Sequence, residues 1–151
     1  MATPTPTRQQ RSASLQLRRT FRAPRERVFR AWTTPEEMKR WKAPGPLTTP
    51  LAEVDLRVGG KYRIHMREPD GTEHRLIGEY REVDPPKKLV YTWSWEDIPD
   101  MGETLVTVEF LDRAGATEVI LTHELFPTDE DRNRHEHGWS GCFRSRGIVE
   151  T

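Results

Sequence analysis

The sequence predicts an α+β fold in which a curved antiparallel β-sheet wraps around a C-terminal α-helix, with two short helices after the first strand. The middle of the chain alternates apolar and polar residues over several consecutive segments, as half-buried antiparallel strands do. The pair Gly59-Gly60 separates two of these segments, and glycine reaches the positive φ of tight turns without a Cβ clash. Near the C-terminus the spacing is helical, with Trp139 and Phe143 one turn apart.

Length and composition indicate one water-soluble domain. The chain has 151 residues, 34% hydrophobic and 32% charged, and 24 basic residues balance 24 acidic ones. This balance argues against nucleic acid as a partner. The single cysteine, Cys142, excludes an internal disulfide and a cysteine-only metal cage. With no signal peptide and no window apolar enough to span a membrane, we expect a cytoplasmic location.

The N-terminal half begins with a polar segment and continues with one strand and two helices. Residues 1–13 are rich in Thr, Pro, Gln and Arg, so we expect a flexible tail, with a single domain over 14–151. A strand is expected from Leu15 to Phe21. Pro24 suits the first position of a helix, and Thr34-Pro35 begins a second helix.

The rest of the chain reads as a meander followed by a helix. Strands are expected at 51–58, 61–67, 74–83 and 89–95, around 106–110 and around 119–123, and a helix at 129–146. The helices are the elements available to cover the apolar face of this sheet. A curved sheet that grips one helix leaves a space between them, and such spaces bind apolar small molecules.

Four segments of the chain resemble, in order, the motifs of a known family. It is the family of activators of the heat-shock protein 90 ATPase, within the START-like (SRPBCC) superfamily, and the resemblance covers roughly Leu15 to Phe143. The segments are APRERVFRAWTTPE at 23–36, DLRVGGKYR at 55–63, GEYREVDPPKKLV at 78–90 with Thr92-Trp93, and GWSGC at 138–142.

The resemblance implies a helix-grip fold, hence a single START-like domain over 14–151, with a hydrophobic cavity between sheet and helix. It does not imply one function, because superfamily members bind lipids, hormones or polyketides and some are enzymes. The chain departs from the family pattern after Cys142, where Arg144, Arg146 and Gly147 replace an apolar stripe. We therefore expect a short gripped helix and a cavity open at one end.

Aromatic and apolar residues on the predicted inner faces are the candidate ligand-binding residues. They are Trp32, Trp41, Tyr62, Met66, Tyr80, Trp93, Val108, His123, Trp139 and Phe143. His123 shares an apolar strand face and reads as a core histidine with a satisfied hydrogen bond, or as an acid–base group. The segment His135-Glu136-His137 reads as a solvated helix face, and His65 and His74 as residues of the polar sheet side.

These observations predict binding of a small hydrophobic or aromatic ligand, with no reaction, cofactor or metal site assigned. Two alternatives stay open. One is a protein-interaction module with a chaperone partner, which predicts an exposed patch and a filled interior. The other is an enzyme that uses the same pocket, with His123, Asp97 or Asp100 as the acid–base group. The sequence leaves both a monomer and a homodimer open.

Overall fold

A computed structural model describes residues 13–41 and 46–144, and it confirms the predicted α+β helix-grip architecture. One antiparallel sheet contains all seven strands in the order β1-β7-β6-β5-β4-β3-β2. The strands are β1 (Ala13–Phe21), β2 (Thr48–Val54), β3 (Lys61–Arg67), β4 (Glu73–Asp84), β5 (Lys88–Trp95), β6 (Thr104–Arg113) and β7 (Ala116–Phe126). The helices are α1 (Arg25–Thr33), α2 (Pro35–Trp41) and α3 (Asp129–Arg144).

The turn between β2 and β3 is longer than the sequence predicts. β2 ends at Val54 rather than Val58, because the chain folds back on itself through hydrogen bonds from Arg57 N to Asp55 O and from Gly60 N to Arg57 O. Gly59 has a φ of +82°, and a Cβ on Gly60 would lie 2.0 Å from Asp55 O. Both glycines are therefore required, one by its positive φ and one by the close approach of the backbone.

Helix α3 docks on the sheet along its length. Near its start, Arg132 Nε donates to Ser14 O on β1 at 2.8 Å. Near its end, the Arg19 guanidinium donates to the carbonyl of Phe143. Trp139, Cys142 and Phe143 on the inward side of the helix are all buried. The sheet therefore holds the helix from both ends.

Aromatic rings fill much of the interior. Trp32 on α1 packs against Trp41 at 4.5 Å between ring centroids, against Phe110 at 5.7 Å and against Phe143 at 6.0 Å. Helices α1 and α2 thus fill the part of the concave face that α3 does not reach. Across residues 13–41 and 46–144, no helix is long and apolar enough to cross a membrane.

Two expectations concern the chain ends. The predicted tail at 1–13 lies outside the described residues except for Ala13, which begins β1. The departure at Arg146 and Gly147 also lies outside them, and α3 is described as far as Arg144.

Candidate functional site

A cavity of about 230 Å³ lies between the sheet and α3. We call it the tryptophan pocket, because Trp93 and Trp95 of β5 and Trp139 of α3 form much of its wall. Met66 and His74 complete the sheet side. The remaining lining comes from Leu47, Met101 and Ile98, of which the exposed Ile98 forms the lip of the pocket.

Helix α3 supplies the opposite wall at regular helical spacing. Asp131, His135, Gly138, Trp139 and Cys142 line the pocket, together with Arg134. The helix begins where the Thr128 hydroxyl accepts from Asp131 N at 3.1 Å and donates to the Asp131 carboxylate at 2.9 Å. This reciprocal cap fixes the first turn and places Asp131 at the pocket.

Two indole–imidazole hydrogen bonds join the helix to the sheet around the pocket. Trp95 Nε1 of β5 donates to His135 Nε2 of α3 at 2.9 Å. Trp139 Nε1 of α3 donates to His123 Nδ1 of β7 at 3.1 Å. The helix and the sheet each donate one N–H and accept one. Because hydrogen bonds are directional, they fix the position of α3 over the sheet in addition to apolar packing.

His123 is held as a neutral imidazole by its partners. Its Nδ1 accepts from Trp139, so the ring proton is on Nε2, which lies 2.7 Å from Thr104 Oγ1. The Thr104 hydroxyl donates onward to Trp93 O at 3.1 Å. The fully buried ring therefore has a partner at both nitrogens, which matches the predicted core histidine with satisfied hydrogen bonds.

His135 was expected on a solvated face, and the structure places it against the pocket instead. Its Nδ1 lies 2.7 Å from Asp131 O, and its Nε2 accepts from Trp95. Burial lowers the pKa of His135, and this effect outweighs the carbonyl and carboxylate of Asp131, which favour the charged ring. His135 is thus a neutral acceptor that orients the Trp95 indole.

A third histidine, His74, lies at the pocket between two carboxylates. Its Nδ1 is 3.1 Å from Asp97 Oδ2, and its Nε2 is 3.4 Å from Glu68 Oε2. Partial burial raises the pKa of Asp97, but hydrogen bonds from the Arg75 amide and His74 outweigh it, so the pKa lies below its ordinary value. His74 was expected on the polar sheet side, and its position opposite Met66 on β3 explains why it instead faces the pocket.

The ten predicted ligand-binding residues are all buried, but they occupy three different places. Met66, Trp93 and Trp139 line the tryptophan pocket. Trp32, Tyr62 and Tyr80 line a second space of about 10 Å³. The other four are packed in the interior and line neither space: Trp41, Val108, His123 and Phe143.

The second space lies among three tyrosines rather than beside α3. The rings of Tyr62, Tyr80 and Tyr91 are 5.4 to 5.9 Å apart, and the Tyr62 hydroxyl donates to Thr92 O. Burial raises the pKa of Tyr62 and of Tyr91, so these hydroxyls remain protonated. A space of this volume is about that of one water, which makes it a packing feature of the core.

Sequence reasoning missed several pocket residues that carried a readable signal. Trp95 follows Trp93 by two positions on one strand, which places both on the same face. His135 precedes Trp139 by one helical turn. His74 lies two positions before the buried Leu76 on β4, so both side chains lie on the same face of the strand. Among the residues that the structure describes, no group of three His, Cys, Asp or Glu side chains could hold a metal ion.

Comparison with known proteins gives concordant results. The family model for "Activator of Hsp90 ATPase homolog 1-like protein" matches residues 22–146. The human activator of 90 kDa heat shock protein ATPase homolog 1 is 26% identical over 140 residues, covering 93% of this chain but only 37% of the human protein. The chain thus spans little more than a third of that relative.

Solved structures have the same fold over nearly the whole chain. A protein from Chromobacterium violaceum has a TM-score of 0.84 at 26% identity, covering 91% of this chain and 97% of its own. An AHSA1 protein from Silicibacter pomeroyi has a TM-score of 0.76 at 29% identity, covering 87% and 93%.

Proposed function

The chain belongs to the Activator of Hsp90 ATPase homolog 1-like family, and on that premise we propose that it binds a small hydrophobic or aromatic molecule in the tryptophan pocket. The observation that carries the proposal is the pocket itself. It stays open at about 230 Å³ while the rest of the interior is packed with rings. Protein interiors are close-packed, so a space of this size with aromatic walls is typical of a ligand site.

The size of the pocket limits the ligand. Pockets for drug-sized molecules have volumes of roughly 300–1,000 Å³, so this smaller pocket fits a body of one or two rings. Burying about 200 Å² of apolar ligand surface contributes about 5 kcal/mol. Before the entropic cost of association is included, this corresponds to a Kd on the order of 0.1–1 mM. Binding is therefore best followed by a method suited to weak affinity.

No catalytic role is part of the proposal. The acid–base alternative named His123, whose two ring nitrogens are both engaged by Trp139 and Thr104. Asp97 accepts a hydrogen bond from the Arg75 amide and pairs with His74, so its carboxylate stabilises the start of β4. These contacts support positioning roles for both residues.

The five tryptophans supply a spectroscopic test. We would label the indole nitrogens with ¹⁵N, titrate the protein with naphthalene, and follow the five indole N–H resonances. Trp93, Trp95 and Trp139 line the pocket, so their resonances should shift with one common Kd. Trp32 of α1 and Trp41 of α2 lie in the core away from this pocket, so their resonances should stay nearly constant. Shifts spread equally over all five, or absent from all five, would overturn the proposal.

Two exposed residues provide a matched pair of variants. Ile98 is on the pocket lip and is 43% exposed, whereas Val58 is in the β2–β3 turn and is 64% exposed. Ile98→Ala should weaken naphthalene binding by about threefold, from the loss of three partly buried groups, one methylene and two methyls. Val58→Ala should leave the Kd unchanged.

A second candidate function is contact with a chaperone of the 90-kDa heat-shock class. It is supported by the similarity to the human activator and by Leu56 and Val58, two large apolar residues exposed on the β2–β3 turn. The test is the ATPase rate of such a chaperone with and without this protein. If the contact uses this turn, the double variant Leu56→Ser/Val58→Ser abolishes the stimulation while the Ile98→Ala variant keeps it. No change in rate with the wild-type protein would reject this candidate.

A further inference from the structure

The charges around the tryptophan pocket are unequal. Asp131 lines it from α3, and on the sheet side His74 lies between Glu68 and Asp97. Arg134 also lines it, but its guanidinium is paired with Glu130 one turn earlier on the same helix. Asp131 is thus the acidic residue of the lining and Arg134 the basic one, and the charge of Arg134 is already paired with Glu130.

Asp131 is the carboxylate best placed to meet a bound molecule. Its carboxylate accepts a hydrogen bond from the Thr128 hydroxyl, which carries no charge. The neighbouring His135 is held neutral by burial and by Trp95. The cation that acts on Asp131 is Arg134, whose guanidinium is also paired with Glu130.

The walls of the pocket are indole rings, whose electron-rich faces attract cations, as the Asp131 carboxylate does. The ring of Trp93 is inclined at 85° to that of Trp95, with centroids 5.6 Å apart, and at 45° to that of Trp139, with centroids 5.1 Å apart. Rings at such angles surround a space rather than stack in one column. The N–H groups of Trp95 and Trp139 are used by His135 and His123, so these two indoles offer a ligand their electron-rich carbon framework.

We propose that the tryptophan pocket selects organic cations, namely ammonium compounds with a small aromatic body. The inference rests on the proposed function, because it assumes that the pocket binds a ligand at all. Indole is the side chain with the strongest cation–π attraction, and aromatic walls with a carboxylate at the mouth recognise quaternary ammonium groups. The ammonium group lies against the indole faces on the side of Asp131, and the aromatic body fills the rest of the pocket.

The experiment compares three probes that share one shape. Benzyltrimethylammonium carries the cation, neopentylbenzene is its uncharged isostere, and phenylmethanesulfonate carries an anion on the same benzyl group. Each is titrated into the full chain while the indole resonances of Trp93, Trp95 and Trp139 are followed. We expect the cation to bind about tenfold more tightly than the uncharged isostere, as cation–π attraction in a partly desolvated site predicts. The anion should bind most weakly.

A matched pair of variants tests the role of Asp131. Asp131→Asn keeps an oxygen for the Thr128 hydroxyl but removes the charge, and it should weaken cation binding by about fivefold while leaving the neutral isostere unchanged. Asp129→Asn removes a charge from the same helical turn at a residue that does not line the pocket, and should change neither. Circular dichroism confirms that both variants remain folded.

The possible outcomes separate this inference from the proposed function. If neopentylbenzene binds as tightly as the cation, the pocket is a binding site without charge selectivity, and only the present inference is overturned. If the anion binds most tightly, Arg134 rather than Asp131 sets the selectivity, and the inference is again overturned. If none of the probes shifts the indole resonances of Trp93, Trp95 and Trp139, both this inference and the proposed function are overturned.

Discussion

The indole of Trp95 donates its N–H to His135 Nε2 at 2.9 Å, which joins the last residue of β5 to the middle of α3. A second indole, Trp139, makes the converse bond from the helix to His123 on β7. Both imidazoles act as acceptors, so both bonds require neutral rings. The two hydrogen bonds on either side of the pocket would therefore be lost if either imidazole became protonated.

The first prediction concerns acid stability. The pKa of His135 in the folded protein is lowered by burial from its ordinary value near 6.5. Above that pH the ring is neutral in both states, and as the pH falls below it the unfolded chain takes up the proton first. The free energy of unfolding, measured in urea, should therefore fall as the pH decreases from 7 toward 5.

The variant His135→Gln isolates this contribution. Glutamine keeps an acceptor for Trp95 but does not titrate, while every other ionisable group is retained. The charged neighbours Asp131 and Arg134 act on His135 with opposite signs and are present in both proteins. The wild type should lose more stability over this range than the variant. Equal losses would contradict the assigned role of His135.

The second prediction concerns the hydrogen-bond chain through Thr104. Thr104→Val keeps the shape of the side chain but leaves the buried His123 Nε2–H and Trp93 O without the hydroxyl. Leaving a buried polar group unsatisfied costs about 1–3 kcal/mol, so we expect a loss of about 2 kcal/mol in urea unfolding. Thr107→Val, on the other face of the same strand, should change the stability by less than about 0.5 kcal/mol.

The third prediction concerns Gly78 on β4. A Cβ there would lie 2.1 Å from Thr92 O and 2.4 Å from Tyr62 Cε1, so the backbone and the tyrosine ring would both have to move. Gly78→Ala should cost about 3 kcal/mol or more. Gly71→Ala is the comparison, because Gly71 has a φ of +93° but nothing within 4 Å of an added Cβ. It should cost only about 1 kcal/mol from backbone strain. Equal losses would show that Tyr62 does not pack over Gly78.

The fourth prediction uses the only cysteine of the sequence. Cys142 is 4% exposed and lines the tryptophan pocket, so a reagent must pass through the pocket to reach its thiol. Methyl methanethiosulfonate should label Cys142 slowly, and naphthalene at its limit of aqueous solubility should slow the labelling further. Intact-protein mass spectrometry gives the rate. Labelling that is unaffected by naphthalene would show that the two do not share an entry path.

Sequence reasoning succeeds where a pattern repeats and fails where the answer depends on tertiary contacts. Alternation and turn signals predict the strands, and Lys61–Arg67 is predicted to the residue. The predicted end of β2 is wrong by four residues, because after Val54 the chain bonds within the turn, from Arg57 N to Asp55 O and from Gly60 N to Arg57 O. The two glycines then pair with Tyr80 of β4, through Gly59 N to Tyr80 O and Tyr80 N to Gly60 O. No periodicity signals such a local loop.

The candidate site shows the same division. Strand parity and helical spacing find Met66, Trp93 and Trp139, but they cannot tell which inward-facing rings α1 and α2 cover. Trp41 therefore reads as a pocket residue, although its indole donates to Ala31 O at 2.8 Å within the helical layer. His135 is missed because its neighbours in the sequence are charged, so the segment reads as solvent-exposed. Its spacing of one helical turn from Trp139 nevertheless places both residues on the same side of α3.

The pairing of the first strand with the last has a consequence for biogenesis. Gln16 on β1 contacts Thr122 on β7, 106 positions later, while the remaining ladders join strands that are adjacent in the chain. During synthesis the first strand leaves the ribosome long before its partner exists, whereas the meander from β2 to β7 can form as it emerges. Such distant pairing slows folding because a large loop must close first. Closure of the sheet by β1 is thus a late event that requires β7 to have been synthesised.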